Sequence, residues 1–150
     1  MMNREQQIEQ LQVLLDRSYD SYQGYSKAAE NVEEKALKLF LFNVSLERKD
    51  NSMALSQIIT DLGGTPDDSG TLKGAAHRTW FDLKSMMMTN TEEVIIEECL
   101  RGEEKLVEDY MSVLKEADFP KNIENMLARQ LGTVQSRVKK LETLAELETA

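Results

Sequence analysis

A helical stripe that returns four times is the feature that most limits what this chain can fold into. Ile8, Leu11, Leu15, Ser18, Tyr22, Tyr25, Ala29 and Val32 follow one another at alternating spacings of three and four, the repeat that places side chains on one face of an α-helix. Asn3 followed by Gln6 reads as a capping box at its start. A second stripe runs through Leu37, Phe40, Val44, Glu47, Asn51, Ala54 and Ile58 to a glycine stop at Gly63 and Gly64, with Asn31 and Glu34 repeating the cap pattern before it. Ile96, Cys99, Glu103, Leu106, Tyr110, Val113 and Ala117 form a third, opened by Asn90 and Glu93. The fourth comprises Ile123, Leu127, Gln130, Leu131, Val134, Val138, Leu141 and Ala145, with Pro120 in a first turn where its missing N–H does no harm.

Rods that are apolar along one side must hide that side, and their connections say how. A single helix from residue 3 to residue 62 would be about 90 Å long, too long for a compact domain of this size. The stripe also loses phase between Val32 and Leu37. A reversal near Asn31 therefore lays the first two helices side by side and antiparallel. "LGGTPDDSG" is the clearest loop, and after it Leu72, Ala76, Trp80, Leu83 and Met87 sit at helical spacing, which predicts a shorter amphipathic helix over 71–88. Such a segment reaches roughly 27 Å. That is enough to return the chain to the end where the second helix began, so the second and third long helices would run parallel. The expected fold is all-α and a single domain over 1–150: a ferritin-like four-helix bundle with a long crossover, 63–90, containing a fifth, shorter helix.

Charge and cysteine usage narrow the function. With 27 acidic residues against 18 Lys and Arg, the net charge of −9 repels phosphate backbones and anionic lipid. Nucleic acid and membrane are therefore not expected partners. No apolar run approaches the ~20 residues of a membrane span, and "MMNREQQIEQ" lacks the apolar core of a signal peptide. Cys99 is the sole cysteine, so no disulfide closes within the chain, which suits a cytoplasmic setting and reads as buried filler.

Ser18, Glu47, Glu103 and the Gln130 to Gln135 region fall at mid-height of such a bundle, forming a polar layer. Ferritin-like carboxylate centres take a glutamate from each of two helices and a Glu-x-x-His pair from each of the other two. Here Glu47 and Asp50 have the pair's spacing but aspartate replaces histidine, "RQLGTVQSR" has neither acid nor histidine, and the first helix offers Ser18 and Tyr22. Glu47 and Glu103 are thus the remaining candidates for a metal, iron or manganese. The competing reading has Arg48 or Arg137 meet their charge in a hydrogen-bonded cluster, because an unpaired buried carboxylate is costly. His77, the sole histidine, stands one turn from Trp80 and cannot complete an imidazole cage, so both are expected to pack. Tyr22, Tyr25 and Tyr110 read as core residues whose hydroxyls find partners, and Met86 to Met88 as gap-filling. The sequence holds no glycine-rich phosphate loop, nucleophile elbow or cysteine cluster.

The runs "GTLKGAAHRTWFDLK" and "IIEECLRGEEKLVEDY" with a following "FP", together with "GYSKAAE" and "LERKDNSMALSQIITDLGGTP", resemble an uncharacterised bacterial family of ferritin-like four-helix-bundle proteins, a domain of unknown function. The likeness spans nearly the whole chain. Gly74, His77, Arg78, Trp80 and Lys84, with Gly102, Glu103 and Tyr110, carry it most strongly. It implies the ferritin-like bundle with its helical crossover, and it makes His77, Arg78 and Trp80 a structural signature that clamps the crossover to the bundle. It implies no activity. Relatives often carry a histidine where this chain has Asn51, a departure that counts against a metal. The expectation is a non-enzymatic interaction or stress-related protein without a cofactor, with an unknown protein partner and a possible homodimer through a spare apolar helix face. The alternative is a carboxylate-ligated iron or manganese storage or oxidase-like protein.

Overall fold

A computed structural model describes residues 2–67 and 92–149, and among them it is all-helical, with four helices and no strand. They are α1 (Arg4–Glu30), α2 (Lys35–Asp61), α3 (Glu92–Glu116) and α4 (Lys121–Thr149), an arrangement consistent with a four-helix bundle. The expected fifth helix over 71–88, and with it His77, Arg78, Trp80 and Asn90, lies outside the described residues.

The caps follow largely from local chemistry. At α1 the box closes reciprocally, the Asn3 N–H donating to Gln6 Oε1 and the Gln6 N–H to Asn3 Oδ1, both at 2.9 Å. The expected cap of α2 at Asn31 is displaced. Asn31 instead ends α1, where its Nδ2 donates to the Lys27 carbonyl at 2.7 Å, and Glu34 takes the N-cap role by accepting from the Leu37 N–H at 2.6 Å. A carboxylate suits that place, since the helix N-terminus presents unpaired N–H groups and positive potential. Pro120 sits one residue earlier than expected, just before α4, and its carbonyl accepts from Ile123 and Glu124.

α2 stops where two glycines allow it. The Gly64 N–H donates to the Ile59 carbonyl and the Gly63 N–H to the Thr60 carbonyl, each at 2.9 Å, the paired bonds of a Schellman ending. Gly63 adopts φ of 91°, a left-handed conformation that strains any residue with a Cβ. Gly64 lies against Ile8 and Ile59, each within 3.0 Å of where a Cβ would stand. The chain then climbs α1 by one turn, and Asp67 exchanges two hydrogen bonds with the Gln12 side chain.

Two apolar clusters form the core. One joins the end of α1 (Tyr25, Ala28, Ala29) and Val32 just after it to the starts of α2 (Leu37, Leu41, Val44) and α3 (Ile95, Ile96, Cys99) and to Leu141 of α4. The other joins the start of α1 (Leu11, Leu14, Leu15) to the ends of α2 (Leu55, Ile59) and α3 (Leu106, Tyr110, Val113) and to the first half of α4. This sharing means that α2 and α3 run in the same direction and α1 and α4 in the opposite one. A single buried Leu or Ile contributes about 1.5–3 kcal/mol through loss of apolar contact with water, so the two clusters dominate stability.

Candidate functional site

Between the two clusters the bundle has a polar waist. Ser18 and Ser21 of α1, Ser45, Arg48 and Ser52 of α2, and Glu103 of α3 are all buried there. The expected polar layer is present, but its α2 member is not the expected one. The buried face of α2 runs Leu37, Leu41, Val44, Ser45, Arg48, Ser52, Leu55, Ile59. It is turned about one residue from the stripe that Phe40, Glu47, Asn51 and Ala54 suggest. Arg48 therefore points into the centre, while Glu47 remains 22% exposed at the side.

Arg48 and Glu103 are both completely buried and bind each other fork to fork. Arg48 Nη2 donates to Glu103 Oε2 at 2.7 Å, and Nη1 donates to Glu103 Oε1 and, at 3.1 Å, to the Ser21 hydroxyl. The guanidinium carbon lies 5.6 Å from the centre of the Tyr25 ring, whose negative face adds to the attraction. Burial by itself disfavours the charge on Arg48, but the Glu103 carboxylate outweighs it and raises the pKa above the usual arginine value. Planar bidentate pairing of this kind is the strongest charge-assisted contact available to a carboxylate.

A second pair stands beside the first. Arg137 of α4 donates from Nη2 to Glu47 Oε2 at 2.8 Å and packs over the Phe40 ring, while Glu47 Oε1 lies 3.5 Å from Arg48 Nη2. Glu47 thus links the two arginines, and the waist joins α1, α2, α3 and α4. The Gln130 to Gln135 region expected in this layer contributes elsewhere: buried Gln130 accepts from the Tyr110 hydroxyl at 2.6 Å, within the second apolar cluster.

The neighbouring ionisable groups are held neutral. Burial, followed by the charges of Glu103 and Glu98, pushes the Cys99 thiol well above its ordinary value, so it is a poor nucleophile. Burial and then Glu103 push the Tyr25 hydroxyl well above 10, and burial pushes Tyr110 up to about 12. Among the described residues no group of three or more His, Cys, Asp or Glu could hold a metal ion. Of the candidates Glu47 and Glu103, the second has both oxygens engaged by Arg48 and the first has one engaged by Arg137. Asn51 Nδ2, buried nearby, makes no hydrogen bond among the described residues, and Ser18 stands beside the Tyr110 hydroxyl. Nor is any helix among the described residues long and apolar enough to cross a membrane.

The model of a family described as a domain of unknown function, DUF2383, matches residues 6–116. This chain belongs to the DUF2383 family. The match runs from the first turn of α1 to the last residue of α3, so the Arg48–Glu103 pair lies inside the DUF2383 span, while Arg137 reaches it from α4, beyond the matched residues. No curated protein matches the chain.

Proposed function

We propose that this member of DUF2383 is a non-enzymatic, ferritin-like bundle protein of the interaction or stress-related kind, in which an arginine–glutamate lock stands where ferritin-like relatives carry carboxylates for metal. The observation that carries this reading is the fork between Arg48 and Glu103, which occupies both oxygens of the innermost carboxylate. A carboxylate committed to a guanidinium cannot also bridge two cations, and the fully buried Arg48 brings a positive charge to the place a cation would need. The residues present therefore fit an iron or manganese centre poorly: Glu47 has an arginine at each oxygen, α4 brings no acid at this height, and Asn51 stands one turn away.

The ferritin-like connectivity belongs to the same proposal. It is supported by the common direction of α2 and α3, and by the path from Gly64 beside Ile8 to Asp67 beside Gln12, which already heads back along α1. His77, Arg78 and Trp80 then serve as the clamp of the crossover. A bacterial cytoplasm is the setting we assign, which the single, fully buried Cys99 suits.

Metal analysis of protein purified without chelator tests the reading. It should show iron and manganese far below one per chain, and adding Fe(II) or Mn(II) should leave the melting temperature unchanged, because a ligand that binds only the folded state would raise it. Near-stoichiometric metal with a raised melting temperature would overturn the proposal in favour of a storage or oxidase-like protein.

A further inference from the structure

α2 has a second apolar stripe, on the side turned away from the core. Leu39, Phe42, Leu46 and Met53 are 60%, 48%, 44% and 61% exposed. Leu39, Leu46 and Met53 recur every seven residues, and Lys35, Phe42 and Lys49 form a second row with the same period. Two rows at this spacing make a seam of the kind by which one helix packs along another. Lys49 fits the seam because its ammonium is drawn aside over the Tyr22 ring at 5.6 Å, leaving its methylene stem on the face.

We propose that this face of α2 docks a second copy of the chain, the two α2 helices antiparallel about a two-fold axis between Glu47 and Arg48. The proposal stands apart from the reading of the polar waist. A two-fold interface must be complementary to itself, and an observed groove together with the pairings this register would make meets that demand. A groove of about 450 Å³ opens beside Phe42, lined by Ser26, Ala29, Lys38 and Leu39. The antiparallel arrangement sets Phe42 opposite the partner's Met53, a flexible side chain suited to filling an irregular groove. Leu46 then meets the stem of the partner's Lys49. At each end Lys35 falls within one residue of the height of the partner's Asp61, giving two equivalent opposite-charge contacts.

The charge of the face also favours a second copy over a strongly charged partner. In a chain of net charge −9, this face and the groove beside it carry Lys35, Lys38 and Lys49 against Glu30, Asp50 and Asp61, in balance. Two copies meeting here bring together nearly neutral surfaces, and the acidic excess on their other faces is screened over ~8 Å by physiological salt.

Sedimentation velocity on the full chain across the micromolar range tests this. The expected mass is twice 17.1 kDa. Leu46→Lys should raise the dissociation constant at least about 100-fold, since each subunit would set an ammonium against the partner's Lys49. Met111→Glu, at an exposed site on α3, should leave it unchanged. Circular dichroism should show the same helix content for every variant, because all these side chains are exposed. Lys35→Glu should weaken the dimer and Lys35→Glu with Asp61→Lys should restore it, which only the antiparallel arrangement predicts. A wild-type chain that sediments as a monomer throughout, a Leu46→Lys variant that dimerises like wild type, or a charge swap that fails to restore association would each overturn the proposal.

Discussion

Replacing Arg48 by methionine removes a guanidinium from a site with no exposure and leaves Glu103, equally buried, facing Tyr25 and Cys99 without its partner. Breaking a buried ion pair from one side costs about 3–5 kcal/mol, because the surviving charge has lost both water and its counter-ion. For a chain of this size each kcal/mol lowers the melting temperature by about 2–4 °C, so the expected drop is roughly 6–20 °C. Glu103→Leu alone should cost a similar amount, with the residual attraction of Glu47 at 3.5 Å softening it slightly. The double variant, Arg48→Met with Glu103→Leu, should return to within about 1–2 kcal/mol of wild type, since two apolar side chains of similar volume replace two desolvated charges, at the loss of the donor to Ser21, the Arg48 contact of Glu47 and the Glu103 contact of Tyr25. Urea unfolding followed by circular dichroism gives all four free energies, provided the dependence on urea is the same in each variant. The reasoning fails if the single substitutions cost less than about 1 kcal/mol, or if their costs simply add in the double variant, for then the pair is hydrated or uncoupled.

High pH should unfold the protein for a reason that involves the same region. Tyr110 is pushed up to about 12 and Tyr25 and Cys99 well above their usual values, all by burial first. A folded pKa above the unfolded one favours the native state while the group is protonated, so this contribution is complete below about pH 8 and is lost as pH rises through 10 to 12. A pH series of urea midpoints should fall across that window, and Tyr110→Phe should flatten it; midpoints unchanged up to pH 11 would contradict the buried assignments. At the end of α2, Gly63→Ala should cost about 1 kcal/mol in thermal unfolding because φ of 91° suits glycine alone among common residues, and an unchanged melting temperature would mean that the turn relaxes freely.

How much of this was legible depended on whether a residue's place is set by its neighbours in sequence or by a distant partner. The α3 stripe through Ile96, Cys99, Glu103, Leu106, Tyr110 and Val113 is the buried face residue for residue, because its apolar members are dense enough to fix the phase despite one glutamate. The α1 cap was equally readable, since Asn3 and Gln6 satisfy each other locally. On α2 the phase slipped. Its buried face has Ser45, Arg48 and Ser52 in the middle, which read as solvent-facing, while the apolar side chains of the outer stripe, Leu39, Phe42 and Leu46, weaken the contrast between the two sides. An arginine is stable in the core only because Glu103, 55 positions later, meets it there. The usable signal was the series Leu41, Val44, Arg48, Ser52, Leu55 and Ile59, which keeps spacings of three and four only if the arginine is admitted. Glu103 lies in the layer where its stripe puts it and Glu47 only at its side, yet their partners could be named only as alternatives until the helices were brought together.

The polar waist has one more consequence, which concerns sliding. Leucine-rich seams above and below it would accept a helix displaced lengthwise by one turn, about 5.4 Å, with modest loss, because one aliphatic side chain serves nearly as well as another. The forked contact does not accept it: the same displacement would strand a guanidinium and a carboxylate in separate apolar surroundings. Arg48 and Glu103 thus act as a vernier mark that rejects misaligned packings which the greasy surfaces alone would tolerate.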